Sequence, residues 1–443
     1  MKFSSSPKRP ESWSEMKIAE VCKTFTSGGT PSRKRPEFYA NGSIPWVKTK
    51  ELNDGVVTEV EEFITADAVK NSSAKLLPKN TVLLAMYGAT VGKLGVLGIE
   101  AACNQACAAM VPKDGVVDFR FLYYLLMRHR KEIIGQAIGG AQQNLSGELI
   151  KGFTFDFPTF QEQQAIANSL WLLDEKIAVN RHVSQTLENI MQTIFKSWFI
   201  DFDPVNAKIK GEKPVGINDA VAALFPDSME ESEFGPVPRG WQWGSVGDVA
   251  EVIDCLHSKK PDLLSEGQPY LQLDSIHDDG ILRFEKTARI SGADYEKWTN
   301  RIEVNDGDCV ITNVGRVGAV SQIPSNFKGA IGRNITAIRP TNIKLHKTFL
   351  AVALTSAFMK KEIKTNTDSG TILEALNVRS IPKLRLPIVG TKLFEIFENV
   401  CGPMQAQRHV LHRESVKLTE LRDALLPRLI SGELQIPEEM LVS

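Results

Sequence analysis

The sequence predicts an α+β protein built as a pseudo-twofold internal repeat, in which two globular domains of mixed strands and helices alternate with two long helices. Two observations support this: five segments of the first half recur in order in the second, and each half ends in a heptad pattern. The composition agrees, because 42% hydrophobic and 24% charged residues are typical of globular chains, and 443 residues exceed one ordinary domain.

The repeat is clearest in short matched segments. Residues 43–55 match residues 267–280, and the strand-like segment ending at Pro112 matches the one ending at Pro340, an offset of about 228 residues. Short runs of apolar residues broken by Gly, Pro, Asn and Asp fill the first part of each half, which indicates strands joined by turns. We therefore expect two domains of the same fold.

A glycine-rich segment in the first copy, YGATVGKLG, looks at first like a phosphate-binding loop. Only three residues separate Gly88 from the Gly92-Lys93 pair, where that loop needs four, and Leu94 stands where it needs Ser or Thr. The second copy keeps its glycines but has Ala319 in place of the lysine. We therefore predict a tight turn between strands, which needs glycine at positive φ.

Each half ends in a heptad pattern that predicts one long helix. The apolar residues predicted to pair are Leu170, Leu173, Ile177, Leu187, Met191 and Ile194 in the first helix, and Met404, Leu411, Leu418 and Leu425 in the second. Polar residues such as Asn180, Ser184, Arg408, Ser415 and Arg422 interrupt both seams, and polar seam positions fix register at some cost in stability. We expect the helices to pair with each other; two separate core helices are the alternative.

These patterns set the expected boundaries. They are a first globular domain at 1–158, a helix at 159–200, a linker at 201–238, a second globular domain at 239–388, a helix at 389–432 and a tail at 433–443. The linker is inferred from its many prolines and glycines and from the acidic run MEESE.

Charge, cysteines and the N-terminal residues restrict the class of protein. The net charge of −1 gives no global positive field, although residues 1–50 carry ten Lys/Arg against four Asp/Glu. No apolar run indicates a signal peptide or a membrane span, so we expect a cytoplasmic protein. The six cysteines form no metal-binding or redox spacing and are expected to be reduced thiols.

Motifs for catalysis are missing from the sequence. No Pro-Pro pair is present for an amino-methyltransferase loop, and neither Pro226-Asp227 nor Pro261-Asp262 is followed by the Glu-x-Lys of a nuclease. His409 and His412 lie three residues apart on the second helix, but solvated or partner-facing histidines are the simpler interpretation. We therefore predict no catalytic residue and no metal site.

Four segments together resemble the hallmark segments of type I restriction-modification specificity subunits. They are PTFQEQQAIANSL (158–170), SWFIDFDPV (197–205), LFPDSMEESEFGPVPRGW (224–241) and LRDALLPRLISGEL (421–434). The resemblance covers nearly the whole chain. One departure is the second copy of the first segment, PIVGTKLFEIF, which has lost the Glu-Gln pair, so the second helix is expected to be capped or docked differently.

The resemblance implies a non-catalytic DNA-reading subunit. Its two globular domains would be target recognition domains, each reading one half of a bipartite double-stranded target. Its helices would pair as an antiparallel coiled coil, set the spacing between half-sites and dock methyltransferase subunits, two being expected, and through them motor-nuclease subunits. S-adenosylmethionine, ATP and Mg²⁺ would be bound only by those partners.

Basic, aromatic and amide residues in matching loops are the candidate DNA contacts, because Arg and Lys bind phosphate or guanine and Asn and Gln read adenine. They are Arg33, Lys34, Arg35, Trp46, Lys48, Lys50, Tyr87, Lys93, Gln142, Gln143 and Asn144 in the first copy, and Lys259, Lys260, Tyr270, Gln272, Arg316, Arg333 and Asn334 in the second. The alternative function is a two-domain scaffold that binds protein partners through its helices and has no nucleic-acid role.

Overall fold

A computed structural model of the chain describes residues 3, 10, 12–137, 144–368, 374–437 and 439. The chain divides into two compact units: residues 1–178 with 417–443 form the first unit, and residues 179–416 form the second. Each unit contains one globular domain and a segment of both long helices. Among the described helices, none combines the length and apolar character that a membrane crossing requires.

The first domain consists of three small sheets and short helices. In chain order its elements are β1 (Ser14–Lys17), α1 (Ile18–Val21), β2 (Cys22–Ser27), β3 (Ile44–Val47), β4 (Gly55–Val57), β5 (Phe63–Ile64), α2 (Ala66–Lys70), β6 (Val82–Ala85), β7 (Leu94–Leu97), β8 (Ala102–Cys103), β9 (Cys107–Pro112), α3 (Phe119–Arg128), α4 (Arg130–Ile134), α5 (Gly147–Lys151) and β10 (Thr154–Phe157). The strand orders are β2-β9-β6-β7-β4, β5-β3-β8 and β1-β10. The middle strands β6 and β7 are buried throughout, so the largest sheet has an apolar core on both faces.

The segment after the first long helix differs from its prediction. The first helix, α6 (Phe160–Phe195), continues as a π-helical turn (Lys196–Ile200), and α7 (Asp203–Ile209), α8 (Asp219–Ala222), β11 (Met229–Glu230) and β12 (Val237–Pro238) follow. Residues 201–238 were expected to form a linker, but Phe202, Val205 and Phe225 lie in the main apolar core of the second unit. Proline and glycine indicated the turns of this segment correctly, whereas its packing depends on these few apolar side chains.

The second domain repeats the ten strands of the first and has one further two-stranded sheet among its described residues. Its elements, with the second long helix, are β13 (Gln242–Ser245), α9 (Val246–Val249), β14 (Ala250–Asp254), β15 (Gln268–Leu271), β16 (Gly280–Ile281), β17 (Ala288–Ile290), α10 (Gly292–Trp298), β18 (Cys309–Thr312), β19 (Val320–Gln322), β20 (Ala330–Ile331), β21 (Ile335–Pro340), α11 (Ile343–Thr355), α12 (Ala357–Thr365), β22 (Thr367–Asp368), β23 (Ala375–Leu376), β24 (Arg385–Ile388) and α13 (Thr391–Ile430). The orders β14-β21-β18-β19-β16, β17-β15-β20 and β13-β24 match those of the first domain position by position. The predicted internal repeat is confirmed.

The glycine-rich segment is a turn between antiparallel strands, as predicted. Gly88 and Gly92 have φ of 80° and 81° between β6 and β7, and Gly315 and Gly318 have φ of 84° and 85° between β18 and β19. A Cβ on Gly92 would lie 2.6 Å from the Ile134 side chain, so this glycine is also needed for close packing of α4. No helix follows directly on the turn in either described copy, which removes the phosphate-binding geometry.

The two long helices pair antiparallel, as the fold class predicts. Cross-helix polar contacts include Asp174 Oδ1 with Arg422 Nη1 (2.6 Å) in the first unit, and Asn180 Nδ2 with Glu414 Oε2 (2.8 Å) and Glu188 Oε2 with Arg408 Nη2 (2.8 Å) in the second. As the residue number rises along α6, that of the partner falls along α13, which defines the antiparallel direction. All ten apolar residues predicted to pair are buried or half-buried.

We expect Phe225→Ala to lower the free energy of unfolding of the second unit by about 3–5 kcal/mol, because it removes a core ring. Phe225 is 1% exposed, and its ring centroid lies 5.4 Å from that of Trp198. Urea unfolding followed by tryptophan fluorescence measures the change. The matched control is Phe234→Ala, from the same segment but half-exposed, which should cost less than about 1 kcal/mol. Equal losses would mean that the segment is an unpacked linker.

Candidate nucleic-acid interface

Two of the predicted DNA contacts in the first domain share one acidic partner. The Arg33 guanidinium and the Lys48 ammonium both pair with Glu62, at 2.9 Å from Arg33 Nη2 and 2.5 Å from Lys48 Nζ. The hydrogen bond from Arg33 is the main cause that lowers the pKa of Glu62 to about 2. Arg33 also lies 4.2 Å from the ring centroid of Tyr39, a cation–π contact that orients it.

Three further predicted cations of this domain also pair with acidic side chains, and Lys34 is exposed. Their acidic partners are Glu37 for Arg35, Glu61 for Lys50 and Asp54 for Lys93. Solvent-exposed ion pairs of this kind contribute only about 0–1 kcal/mol. These acidic side chains therefore orient the cations but bind them weakly enough for a phosphate group to replace them.

Both aromatic residues predicted to contact DNA from strands are instead core residues. Trp46 is 3% exposed and its indole N–H donates to the Gly29 carbonyl at 3.0 Å. Tyr270 is 2% exposed, packs 5.2 Å from Trp298 between centroids, and burial raises its pKa to about 12. The prediction failed here because these residues belong to β3 and β15, whose aromatic side chains point inward. They anchor the turns that follow those strands.

The amide cluster of the first domain is only partly described. Tyr87 is half-buried and forms an isolated β-bridge with Asn144, which is exposed. Gln142 and Gln143 lie outside the described residues. The bridge places Asn144 beside the glycine-rich turn, so two of the predicted contacts are neighbours.

In the second domain, the predicted contacts Lys260, Gln272 and Arg333 line one cleft of about 360 Å³, together with the buried Tyr270. Its lining residues are Lys260, Tyr270, Gln272, Leu273, Asp274, Gly332 and Arg333. Lys260 and Arg333 are exposed, as is the neighbouring Lys259, and Gln272 is half-buried. The cleft therefore combines cations with an amide that can both donate and accept hydrogen bonds, the chemistry that base edges and phosphates require.

The remaining two predicted contacts of this domain have structural partners. Arg316 donates to the Ile276 carbonyl at 3.0 Å and pairs with Asp278 at 2.7 Å. Asn334 has φ of 67°, and its carbonyl accepts from the Asn313 N–H at 3.0 Å. Arg316 remains partly exposed, whereas the backbone of Asn334 is used to join two strands.

One pair of positions is equivalent by structure in the two domains. Lys48 directly follows β3 and starts a 3₁₀ turn (Thr49–Glu51), and Gln272 directly follows β15 and starts the matching turn (Leu273–Ser275). The backbone N–H of each donates to a side chain of its turn, Glu51 Oε2 at 2.6 Å and Ser275 Oγ at 3.3 Å. The same backbone geometry thus presents a lysine in one domain and a glutamine in the other.

The long helices are docked on their domains by different side chains, as the lost Glu-Gln pair led us to expect. Gln163 of α6 accepts from the Asp118 N–H at 3.1 Å and donates to the Val116 carbonyl at 3.0 Å. In the second copy Glu398 of α13 accepts from the N–H groups of Thr348 and Phe349 in α11, at 2.6 and 3.1 Å. Glu398 gave no signal in the sequence because it directly follows the segment PIVGTKLFEIF, beyond the positions that match the Glu-Gln pair.

The histidines considered for metal binding have separate partners. Nε2 of His409 lies 3.2 Å from Gln322 Oε1, and Nε2 of His412 lies 3.1 Å from Glu285 Oε2. Burial lowers the pKa of His409 to about 3, so the ring is neutral and hydrogen-bonded. In the described part of the chain, one Asp254–Cys255–His257 group brings three potential ligand atoms within 4.8 Å of one another. Its cysteine lies in an apolar core, where burial raises the thiol pKa and disfavours the thiolate ligand.

Comparison with known proteins gives one consistent family. The sequence model of the Type I restriction modification DNA specificity domain matches residues 10–189. The chain is 26% identical to the type I restriction enzyme MjaIX specificity subunit of Methanocaldococcus jannaschii, over 97% of this chain and 95% of that one. It is also 26% identical to the type I restriction enzyme HindI specificity subunit of Haemophilus influenzae, over 95% and 99% of the two chains.

The fold agrees with that of a solved relative. The crystal structure of the type I restriction-modification S subunit from M. genitalium superimposes with a TM-score of 0.57 at 17% identity, covering 96% of this chain and 98% of the other. The shared fold includes the two sheet-bearing domains and the long helices. The full-length relatives, the matching domain and the repeated architecture all make this chain similar to type I restriction-modification specificity subunits.

Proposed function

We propose that this chain is the DNA sequence-specificity subunit of a type I restriction-modification complex, and that each globular domain reads one half of a bipartite target. The observation that carries the proposal is the structural equivalence of Lys48 and Gln272. Two domains with one strand order present different side chains from the same turn. Lysine favours guanine or phosphate and glutamine favours adenine, so the two half-sites differ in sequence.

The paired helices act as the spacer between the two readers and as the docking surface for methyltransferase subunits. Val179, Val183 and Ile190 lie on one face of α6, four and seven residues apart, and all three are exposed. Val400 and Val410 are exposed on α13. Apolar residues at helical spacing on a solvent-facing surface fit a protein partner, and two such subunits, with motor-nuclease subunits bound through them, complete the assembly.

The chain binds no cofactor of its own in this proposal. S-adenosylmethionine, ATP and Mg²⁺ belong to the partner subunits. The scaffold alternative shares the helix contacts but gives the domains no nucleic-acid role, so tests of DNA specificity separate the two functions.

The purified chain alone should neither transfer methyl groups from S-adenosylmethionine nor hydrolyse ATP, since its sequence has no motif for either reaction. Radiolabelled methyl transfer to DNA and phosphate release measure the two activities. Adding the methyltransferase subunits should restore methylation, which serves as the positive control. Turnover by the chain alone would contradict the non-catalytic role.

Exchange of residues 1–158 for the matching domain of a relative should change one half of the methylated target and leave the other half intact. Mapping methylated positions in the genome of a host that carries the complete system identifies both halves. The reciprocal exchange of residues 239–388 is the control and should change only the other half. If either exchange altered both halves, the division of labour between the domains would be wrong.

Glu62→Gln should strengthen DNA binding by the complex with methyltransferase subunits, because the ionised carboxylate competes with phosphate for Arg33 and Lys48. An exposed ion pair is worth up to about 1 kcal/mol, so the gain should be up to about fivefold at low salt. Fluorescence anisotropy with a target duplex, over a range of salt concentrations, measures it. Glu148→Gln removes an exposed carboxylate whose partner, Lys151, is not a candidate contact, and should leave the affinity unchanged. Equal effects of both variants would place DNA elsewhere on this domain.

A further inference from the structure

Arg408 is the centre of a buried polar cluster in the second unit. Its side chain is 4% exposed and joins three parts of the fold: α13, which carries it, α6 and the second domain. On α6, Nε donates to the Ser184 carbonyl at 3.2 Å and Nη2 to Glu188 Oε2 at 2.8 Å. In the second domain, Nη2 also donates to the Asp279 carbonyl, directly before β16, at 2.6 Å. One guanidinium on α13 therefore binds both the other helix and the recognition domain.

The cluster continues into the sheet of the second domain. Arg408 Nη1 donates to Gln405 Oε1 at 3.0 Å, and Gln405 Nε2 donates to Gln322 Oε1 in β19 at 3.1 Å. The residue before Asp279, Asp278, is the ion-pair partner of Arg316, a candidate DNA contact. Arg408 thus holds the loop whose Asp278 pairs with Arg316.

The first unit has a counterpart built from other residues. Asp174 of α6 accepts from Arg422 of α13 at 2.6 Å through Oδ1, and from the hydroxyl of Tyr124 in α3 at 2.7 Å through Oδ2. Here a carboxylate, rather than a guanidinium, joins both long helices to the recognition domain. The central group is a carboxylate in the first unit and a guanidinium in the second. Each of them joins α6, α13 and one recognition domain.

Polar clusters of this kind restrict geometry in a way that apolar packing does not. Apolar contacts are non-directional, so a helix can rotate or slide on an apolar surface with small changes in energy. Buried hydrogen bonds to a charged group require short distances and near-linear geometry, and breaking one partner of a buried ion pair is strongly unfavourable. Each cluster therefore permits one position of the domain on its helices.

We propose that Arg408 and Asp174 are positioning residues that lock each recognition domain onto the helix pair, and so restrict the spacing accepted between the two half-sites. The inference rests on the proposed function. Neither residue needs to touch DNA. Loosening either cluster should leave the sequence of both half-sites unchanged and broaden the number of base pairs allowed between them.

The test uses the complete complex in a host, with genome-wide mapping of methylated positions, which identifies both half-sites and the spacer directly. The variants are Arg408→Met, which removes the guanidinium but keeps an unbranched apolar stem, and Tyr124→Phe, which removes only the hydroxyl that binds Asp174. Sites with spacers one base pair longer or shorter should become at least about tenfold more frequent with Arg408→Met and about threefold more frequent with Tyr124→Phe.

Matched controls separate this effect from a general loss of stability. Arg181→Met removes an exposed arginine from α6, and Tyr295→Phe removes a hydroxyl that donates to Glu303 within the second domain at 2.8 Å. Both controls should keep the wild-type spacer. If Arg408→Met does not assemble, Tyr124→Phe, with the smaller change, decides the question.

The outcomes are distinct for the two proposals. A wild-type complex without a bipartite methylated motif would refute the proposed function itself. A wild-type complex with one fixed spacer, together with folded and assembled variants that keep the same single spacer, would overturn the positioning role of these residues and leave the proposed function standing.

Discussion

The antiparallel pairing of α6 and α13 depends on charged side chains in its seam, above all the buried Arg408 and the partly buried Arg422. A buried arginine is tolerated only when its donors are satisfied, and here the acceptors come from the opposite helix and from a globular domain. A helix shifted by one turn would separate these groups and leave charges unpaired. The register of the pair is therefore fixed, and the attachment of each domain to the helices is fixed with it.

Within this frame, the two domains combine one fold with two different surfaces. Their sheets share strand order, and their glycine turns share positive φ, because these features depend on backbone geometry and on buried apolar residues. The side chain that starts the 3₁₀ turn is not under that constraint. Lys48 and Gln272 differ for this reason, so one backbone fold presents two different side chains at equivalent positions.

The candidate DNA contacts Arg33 and Lys48 of the first domain lie near a buried aromatic residue and pair with one acidic side chain. Trp46 is buried under the turn that carries Lys48, and its indole is hydrogen-bonded to Gly29. Glu62 then holds the lysine and Arg33 at the surface. Because exposed ion pairs are weak, this arrangement orders long, flexible side chains at little cost and leaves them free to exchange an acid for a phosphate.

The sequence by itself determined the internal repeat, the two heptad helices, the glycine turns and the resemblance to a family, because these depend on local periodicity and on short motifs. Only the tertiary structure decided which residues face the core and which face solvent. Tyr270 became a core residue, residues 201–238 packed into the second unit, and Asp174 and Glu398 proved to join helices to domains. Each of these outcomes depends on residues that lie far away in the chain. The local sequence does not indicate which distant side chain will form a hydrogen bond with a buried polar group.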